Sequence, residues 1–302
     1  MLAPLALLLS HLVVALLALV AIGGATRVME AGLACPDWPL CYGVLLPGRQ
    51  MNLQVFLEWF HRLDAFLVGL ALLVLCGLSL WRRAQLTPWF PPFTAVALLL
   101  VAVQGGLGAL TVTHLLQADV VTAHLATALG LVALVSAAYQ RLAAPPAGAP
   151  AWFTPLVALA LLLVMLQAVL GGAMASRWAV ETCLAEAEGC RWLLAHRLGA
   201  YPAAAATLLM AGASLALPRG CRSLQAFSAG ALLLVAVQVA LGVATLRQQL
   251  QLPALTVAHQ LVAALLVAVL AATLGRAWAR EPASAGSLDS EPSLSPVEVV
   301  HG

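Results

Sequence analysis

Across 302 residues, 63% are hydrophobic and only 9% are charged, and the mean hydropathy is +1.00. Soluble domains carry charge on about a quarter of their residues, so a water-soluble globular fold is excluded and the chain reads as a polytopic membrane protein. A net charge of +2, with arginine as the sole basic residue besides histidine, excludes a nucleic-acid binder and leaves the lipid bilayer as the partner that composition implies.

Taken in order, apolar runs bounded by arginine, proline or polar residues fall at 2–26, 54–81, 91–113, 119–141, 152–175, 191–217, 224–246 and 254–278. Each is close to the length a helix needs to cross a bilayer, which predicts eight transmembrane helices. The first run has no positively charged leader, so it is expected to span the membrane and not to be a cleaved signal. An Ala/Pro/Gly stretch near the midpoint divides the chain into an N-terminal four-helix half (1–142), a linker (143–151) and a C-terminal four-helix half (152–280). The Ser-, Pro- and acid-rich tail 281–302 cannot bury a core and is expected to be disordered.

Arginine counts alone do not orient the helices. Arg62 and Arg197 sit inside a repeated helix motif, however, and setting them aside as site residues leaves an arginine majority on the side that holds the connections 2–3, 4–5 and 6–7 together with Arg276 and Arg280 after the last run. Those connections hold no acid. Every acid before the tail lies on the other side, together with Cys35 and Cys41 in the 1–2 loop and Cys183 and Cys190 in the 5–6 loop. Both termini are therefore expected in the cytoplasm and both cysteine loops outside. Disulfides suit that compartment, while zinc is the competing reading of paired cysteines; the spacings miss the usual C-x₂₋₄-C pattern and neither loop adds a histidine. Cys76 and Cys221 are expected to be unpaired.

An internal repeat organises the rest. His61 and His124 lie 63 residues apart, as do His196 and His259. Glu58-Trp59-Phe60-His61-Arg62-Leu63-Asp64-Ala65 reappears as Leu193-Leu194-Ala195-His196-Arg197-Leu198-Gly199-Ala200, so one copy carries acids that the other lacks. An even number of helices per repeat sends both copies into the membrane in the same direction, related by an axis along its normal. Counted from the next inside arginine, the histidines lie roughly 25–35 Å along their helices, near the outer edge of the hydrocarbon. Two imidazoles from facing helices of a four-helix bundle can hold a haem iron from both sides. Zinc or di-iron sites would need convergent carboxylates that the C-terminal half does not have.

Other residues admit two readings. Gly23, Gly24, Gly105, Gly106, Gly108, Gly171, Gly172 and Gly242 either admit a flat macrocycle or pack helices closely. Gln104, Gln167 and Gln238, each four residues before a glycine, either join helices or touch a cofactor. Arg62 and Arg197 either bind haem propionates or reach for lipid head groups. Glu58 lies three residues before His61, on one helical face, where it either performs acid–base work beside a ligated haem or pairs with Arg62 at the interface.

Eight helices in two halves, a histidine pair in each, Glu58-Trp59-Phe60-His61-Arg62 and the Cys35/Cys41 loop together resemble the haem A synthase family over essentially the whole apolar chain. The resemblance implies a prokaryotic plasma-membrane enzyme that oxidises the C8 methyl of haem O to the formyl of haem A. It implies haem b on His196 and His259, the substrate haem O on His61 and His124, and functional roles for Glu58, Cys35 and Cys41. Implied partners are the enzyme that makes haem O and an unidentified electron donor or acceptor. A dihaem, quinone-linked electron-transfer cytochrome is the alternative that four histidines also fit; the contrast of Glu58 with Leu193 favours the enzyme.

Overall fold

The computed structural model describes residues 2–144, 147–175 and 190–278. Among these are eight long helices: α1 (Leu2–Val28), α2 (Leu53–Trp81), α3 (Phe90–Thr113), α4 (Ala118–Ala143), α5 (Phe153–Met174), α6 (Arg191–Ser214), α7 (Arg222–Arg247) and α8 (Pro253–Ala277). No strand occurs among the described residues. Local chemistry sets the ends. Asn52 caps α2 by accepting from the Val55 N–H at 2.9 Å, and prolines that need no amide partner open α3 and α8.

Seven of the eight helices are long and apolar enough to cross a membrane, and α6 is not. The expectation that composition marks all eight is thus corrected. Arg191, His196 and Arg197 crowd the first two turns of α6, and alanine, glycine and Pro202 take much of the place that leucine and valine hold elsewhere. α6 nevertheless packs against both α5 and α7. The tail 281–302 and the connection holding Cys183 lie outside the described residues.

Within the first half, α1 and α3 each pack against both α2 and α4; within the second, α5 and α7 each pack against both α6 and α8. The halves meet through α4 on α8, α1 on α8 and α4 on α5. At the closest approach Gly275 of α8 lies against the Ala137 backbone of α4, where any side chain would overlap the Ala137 carbonyl. Buried residues concentrate in this region, away from the cysteine loop: Leu129, Val132 and Val135 of α4 with Ala264, Val267 and Leu270 of α8.

The repeat extends to the turns. α3 ends with Leu115 and Leu116 at φ of 49° and 63°, and α7 ends with Gln249 and Leu250 at 49° and 64°. In each case the second left-handed residue donates its N–H back into the helix, Leu116 to the Thr111 carbonyl at 2.8 Å and Leu250 to the Thr245 carbonyl at 3.1 Å. α1 closes similarly, with Ala31 donating to the Thr26 carbonyl at 2.8 Å. Such reverse bonds satisfy the carbonyls that a helix end leaves open.

Replacing Gly275 with valine is expected to force α4 and α8 apart and to lower stability by at least about 1–3 kcal/mol, the usual scale for overpacking. A drop in the thermal unfolding midpoint of the detergent-solubilised protein is the measurement that checks it.

Candidate functional site

Four histidines stand at one level because each belongs to the first turns of an even-numbered helix: His61 on α2, His124 on α4, His196 on α6 and His259 on α8. They form two facing pairs. The ring centroids of His61 and His124 are 6.5 Å apart with planes at 70°, and those of His196 and His259 are 6.4 Å apart with planes at 83°.

Each ring leans on a glycine of the preceding odd-numbered helix. A Cβ built on Gly23 would come within 3.1 Å of His61 Cε1, on Gly108 within 3.6 Å of His124 Cε1, on Gly171 within 2.8 Å of His196 Cε1, and on Gly242 within 3.0 Å of His259 Cε1. Of the two readings left open for the glycines, these four make room for imidazoles. The fit to haem follows from two observations. A metal–nitrogen bond of about 2 Å puts two opposed imidazole centroids roughly 6 Å apart, close to both observed separations. The Nδ1 atoms of His61, His124 and His259 are buried without a hydrogen-bond partner, orphaned ring atoms whose bonding is incomplete in the protein alone.

The glutamines contact the histidines directly. Gln104 Nε2 donates to the His124 carbonyl at 2.9 Å. Gln167 Nε2 donates to the His196 carbonyl at 2.7 Å and lies 3.0 Å from its Nδ1. Gln238 Nε2 lies 3.3 Å from a ring nitrogen of His259.

Over the first pair sits the loop 29–52, closed by a Cys35–Cys41 disulfide whose cysteines are both buried against Val55 and Trp59. Glu58 of α2 is 4% exposed, the one buried charged residue among those described. Its Oε2 accepts from the Cys35 N–H at 2.7 Å and its Oε1 accepts from Arg62 Nη2. Arg62 also donates from Nη1 to the Asp37 and Leu40 carbonyls, both at 2.6 Å, and from Nη2 to the Cys35 carbonyl at 3.4 Å. Asp37 in turn accepts from the Tyr42 and Gly43 amides at 2.6 and 2.8 Å, and Trp59 Nε1 donates to the Leu45 carbonyl at 2.7 Å. Helix α2 therefore grips the disulfide loop through three side chains in two turns.

The second pair is arranged differently. Arg197 is exposed, and Cys190 caps α6 by accepting from the Leu193 N–H at 3.4 Å. The expected Cys183–Cys190 bridge falls on Cys183, outside the described residues.

Arg27 and Gln260 are the residues that sequence reasoning missed. Arg27, at the end of α1, donates to the Ala175 carbonyl of the second half and to Gln260 Oε1 of α8, both at 3.0 Å; Gln260 Nε2 donates back to the Val20 carbonyl at 3.0 Å. The signal was available, since Arg27 follows Gly23 by one turn and Gln260 directly follows His259.

Apolar helices carrying two facing histidine pairs, one of them beneath a disulfide loop, define an all-helical, multi-pass membrane protein. The sequence profile of the cytochrome oxidase assembly protein family matches residues 6–271. A haem A synthase from Sphingopyxis alaskensis is 31% identical over 316 aligned positions, covering 85% of this chain and 87% of that one. One from Shewanella oneidensis is 33% identical over 191 positions, covering 56% of each. A protohaem IX farnesyltransferase from Haloarcula marismortui is 32% identical over 113 positions, covering 37% of this chain and 23% of that one. The chain belongs to the haem A synthase family of cytochrome oxidase assembly proteins.

Replacing Arg62 with methionine removes the donors that hold the Cys35, Asp37 and Leu40 carbonyls. The Cys35–Cys41 bridge is then expected to be reduced by a membrane-impermeant phosphine about tenfold faster than in the parent, an amount equal to losing one net hydrogen bond to a charged group. Thiol labelling followed by mass measurement checks this.

Proposed function

We propose that this protein oxidises the C8 methyl of haem O to the formyl of haem A, with His61 and His124 as axial ligands of the substrate haem and His196 and His259 as ligands of a resident haem b. The observation that carries the reading is the pair of facing imidazoles in each half, at 6.5 and 6.4 Å, in a chain whose relatives are haem A synthases. When bound, haem b supplies a one-electron centre. The halves are two four-helix bundles related by an axis along the membrane normal, with both termini cytoplasmic and the disulfide loop outside. The likeness of part of the chain to a protohaem IX farnesyltransferase supports a haem O-producing enzyme as the partner that hands over substrate. Electrons leave to an acceptor not yet identified.

Glu58 provides the difference between the halves. It lies three residues from His61 on the same helical face, whereas Leu193 lies at the corresponding distance from His196. Each carboxylate oxygen already accepts one hydrogen bond and keeps a lone pair free, so Glu58 can hold negative charge or accept a proton beside the substrate methyl while anchoring the loop above it. Arg62 uses its Nη donors on Glu58 and loop carbonyls and retains Nε–H for a propionate; Arg197, exposed beside His196, is the corresponding propionate group in the other half.

Two outcomes test this. His196→Ala or His259→Ala is expected to remove the resident haem, read as lost pyridine-haemochrome absorbance; full haem content in either variant would exclude that residue as a ligand. Glu58→Gln is expected to keep haem binding while haem A formation falls on the order of 10²–10⁴-fold. Chromatography of haems from membranes that also make haem O reads the product, and parental amounts of haem A would remove Glu58 from the chemistry.

A further inference from the structure

Charge is divided unevenly between the two histidine pairs. Beside the first pair Arg62 is bonded to Glu58, and Asp64 stands two residues further on, so α2 carries more acid than base at this level. None of α5, α6, α7 and α8 carries an acid at all. Into this acid-free half reaches the guanidinium of Arg27, although Arg27 belongs to the first half. Its two acceptors, the Ala175 carbonyl and Gln260 Oε1, are neutral and lie in the second half, and no carboxylate meets it among the described residues. Gln260 donates in turn to the Val20 carbonyl, lies against Gly24 and directly follows His259. The repeat shows that the contact does not require a charge. At the equivalent places stand Ala175 and Leu125, and Leu125 lies against Gly172 as Gln260 lies against Gly24.

An arginine that gives its hydrogen bonds to neutral oxygens has its donors satisfied but keeps its whole charge, and away from bulk water that charge acts strongly on its surroundings. Reducing a haem iron adds one negative charge, which a nearby fixed cation favours. We infer that Arg27 is a positioning residue for the redox reaction: lent by the first half, it raises the reduction potential of the haem on His196 and His259, while the Glu58–Arg62 pair leaves the haem on His61 and His124 without that bias. The inference rests on the haem ligation proposed above. An electron given up at the first pair, where the iron passes from ferrous to ferric, is thereby drawn to the second pair, where the iron passes from ferric to ferrous. The direction of transfer is built into a contact between the halves.

The test uses the full chain, purified in detergent, loaded with protohaem and titrated spectroscopically for reduction. The midpoint that disappears in His259→Ala belongs to the second pair. Arg27→Gln, which keeps a polar side chain and removes the charge, is expected to shift the reduction equilibrium at that midpoint about tenfold towards the oxidised form, which is about 59 mV for one electron. Arg27→Lys, which alters the hydrogen bonds but keeps the charge, is expected to stay within about threefold of the parent. A merely structural arginine would be disturbed by both changes. Arg27→Ala combined with Ala175→Arg keeps an arginine at the contact but moves it to the equivalent place in the repeat, and is expected to lower the same midpoint even where Arg27→Gln does not accumulate. A parental midpoint in either charge-displacing variant would overturn the inference, as would equal falls in Arg27→Gln and Arg27→Lys. A parent that takes up no protohaem would instead overturn the proposed ligation itself.

Discussion

An imidazole can rest on a neighbouring helix only where that helix has no side chain, and this close approach, made four times, governs the spacing of the whole structure. Gly23, Gly108, Gly171 and Gly242 lie so near His61, His124, His196 and His259 that a methyl group would touch or overlap the ring edge. The odd-numbered helices supply the flat surface and the even-numbered helices supply the ring. Because the glycines fix how far each ring stands from its own wall, they also fix the gap across each pair. The packed cores of α4 and α8 lie below that level, towards the other end of the helices, leaving the histidine level to be shaped by small residues and hydrogen bonds.

Arg27, Glu58 and Arg62 at this level are all tied to other groups of the protein. Lipid offers no hydrogen bonds, so an arginine or carboxylate near the hydrocarbon survives by finding partners in the protein. Arg62 and Glu58 find theirs in the loop they support, turning the ion pair into a clasp over the first histidine pair. The two readings of Glu58 are therefore compatible in structure: pairing with Arg62 does not use up its oxygens, and it holds the carboxylate in one orientation beside the His61 face.

Much of this was legible in the residues before any coordinates. Run length identified eight helices, and equal spacing identified the histidine pairs, because one-dimensional spacing determines which residues share a helix face and a depth. Direction across helices was not legible. Nothing in the spacing tells that Arg62 turns towards the carbonyls of Cys35, Asp37 and Leu40, since those acceptors are backbone atoms of a loop whose path has no sequence period. The contrast of Asp64 with Gly199 looked like the simple loss of an acid; Gly199 in fact makes room for Gln167 of the neighbouring helix. α6 departs from the composition rule because arginine, histidine, glycine, proline and alanine stand where leucine and valine stand in the other helices.

The contacts between the halves carry a last consequence. Gly24 receives Gln260, and Gly172, its counterpart, receives Leu125, the counterpart of Gln260; Arg27 donates to the carbonyl of Ala175, which occupies its own equivalent place. Equivalent positions of the repeat thus meet at this contact, but they do not carry the same chemistry. Two copies of the first half would leave each Arg27 facing a leucine, and two copies of the second would leave each Gln260 with neither the guanidinium nor any basic partner in its place.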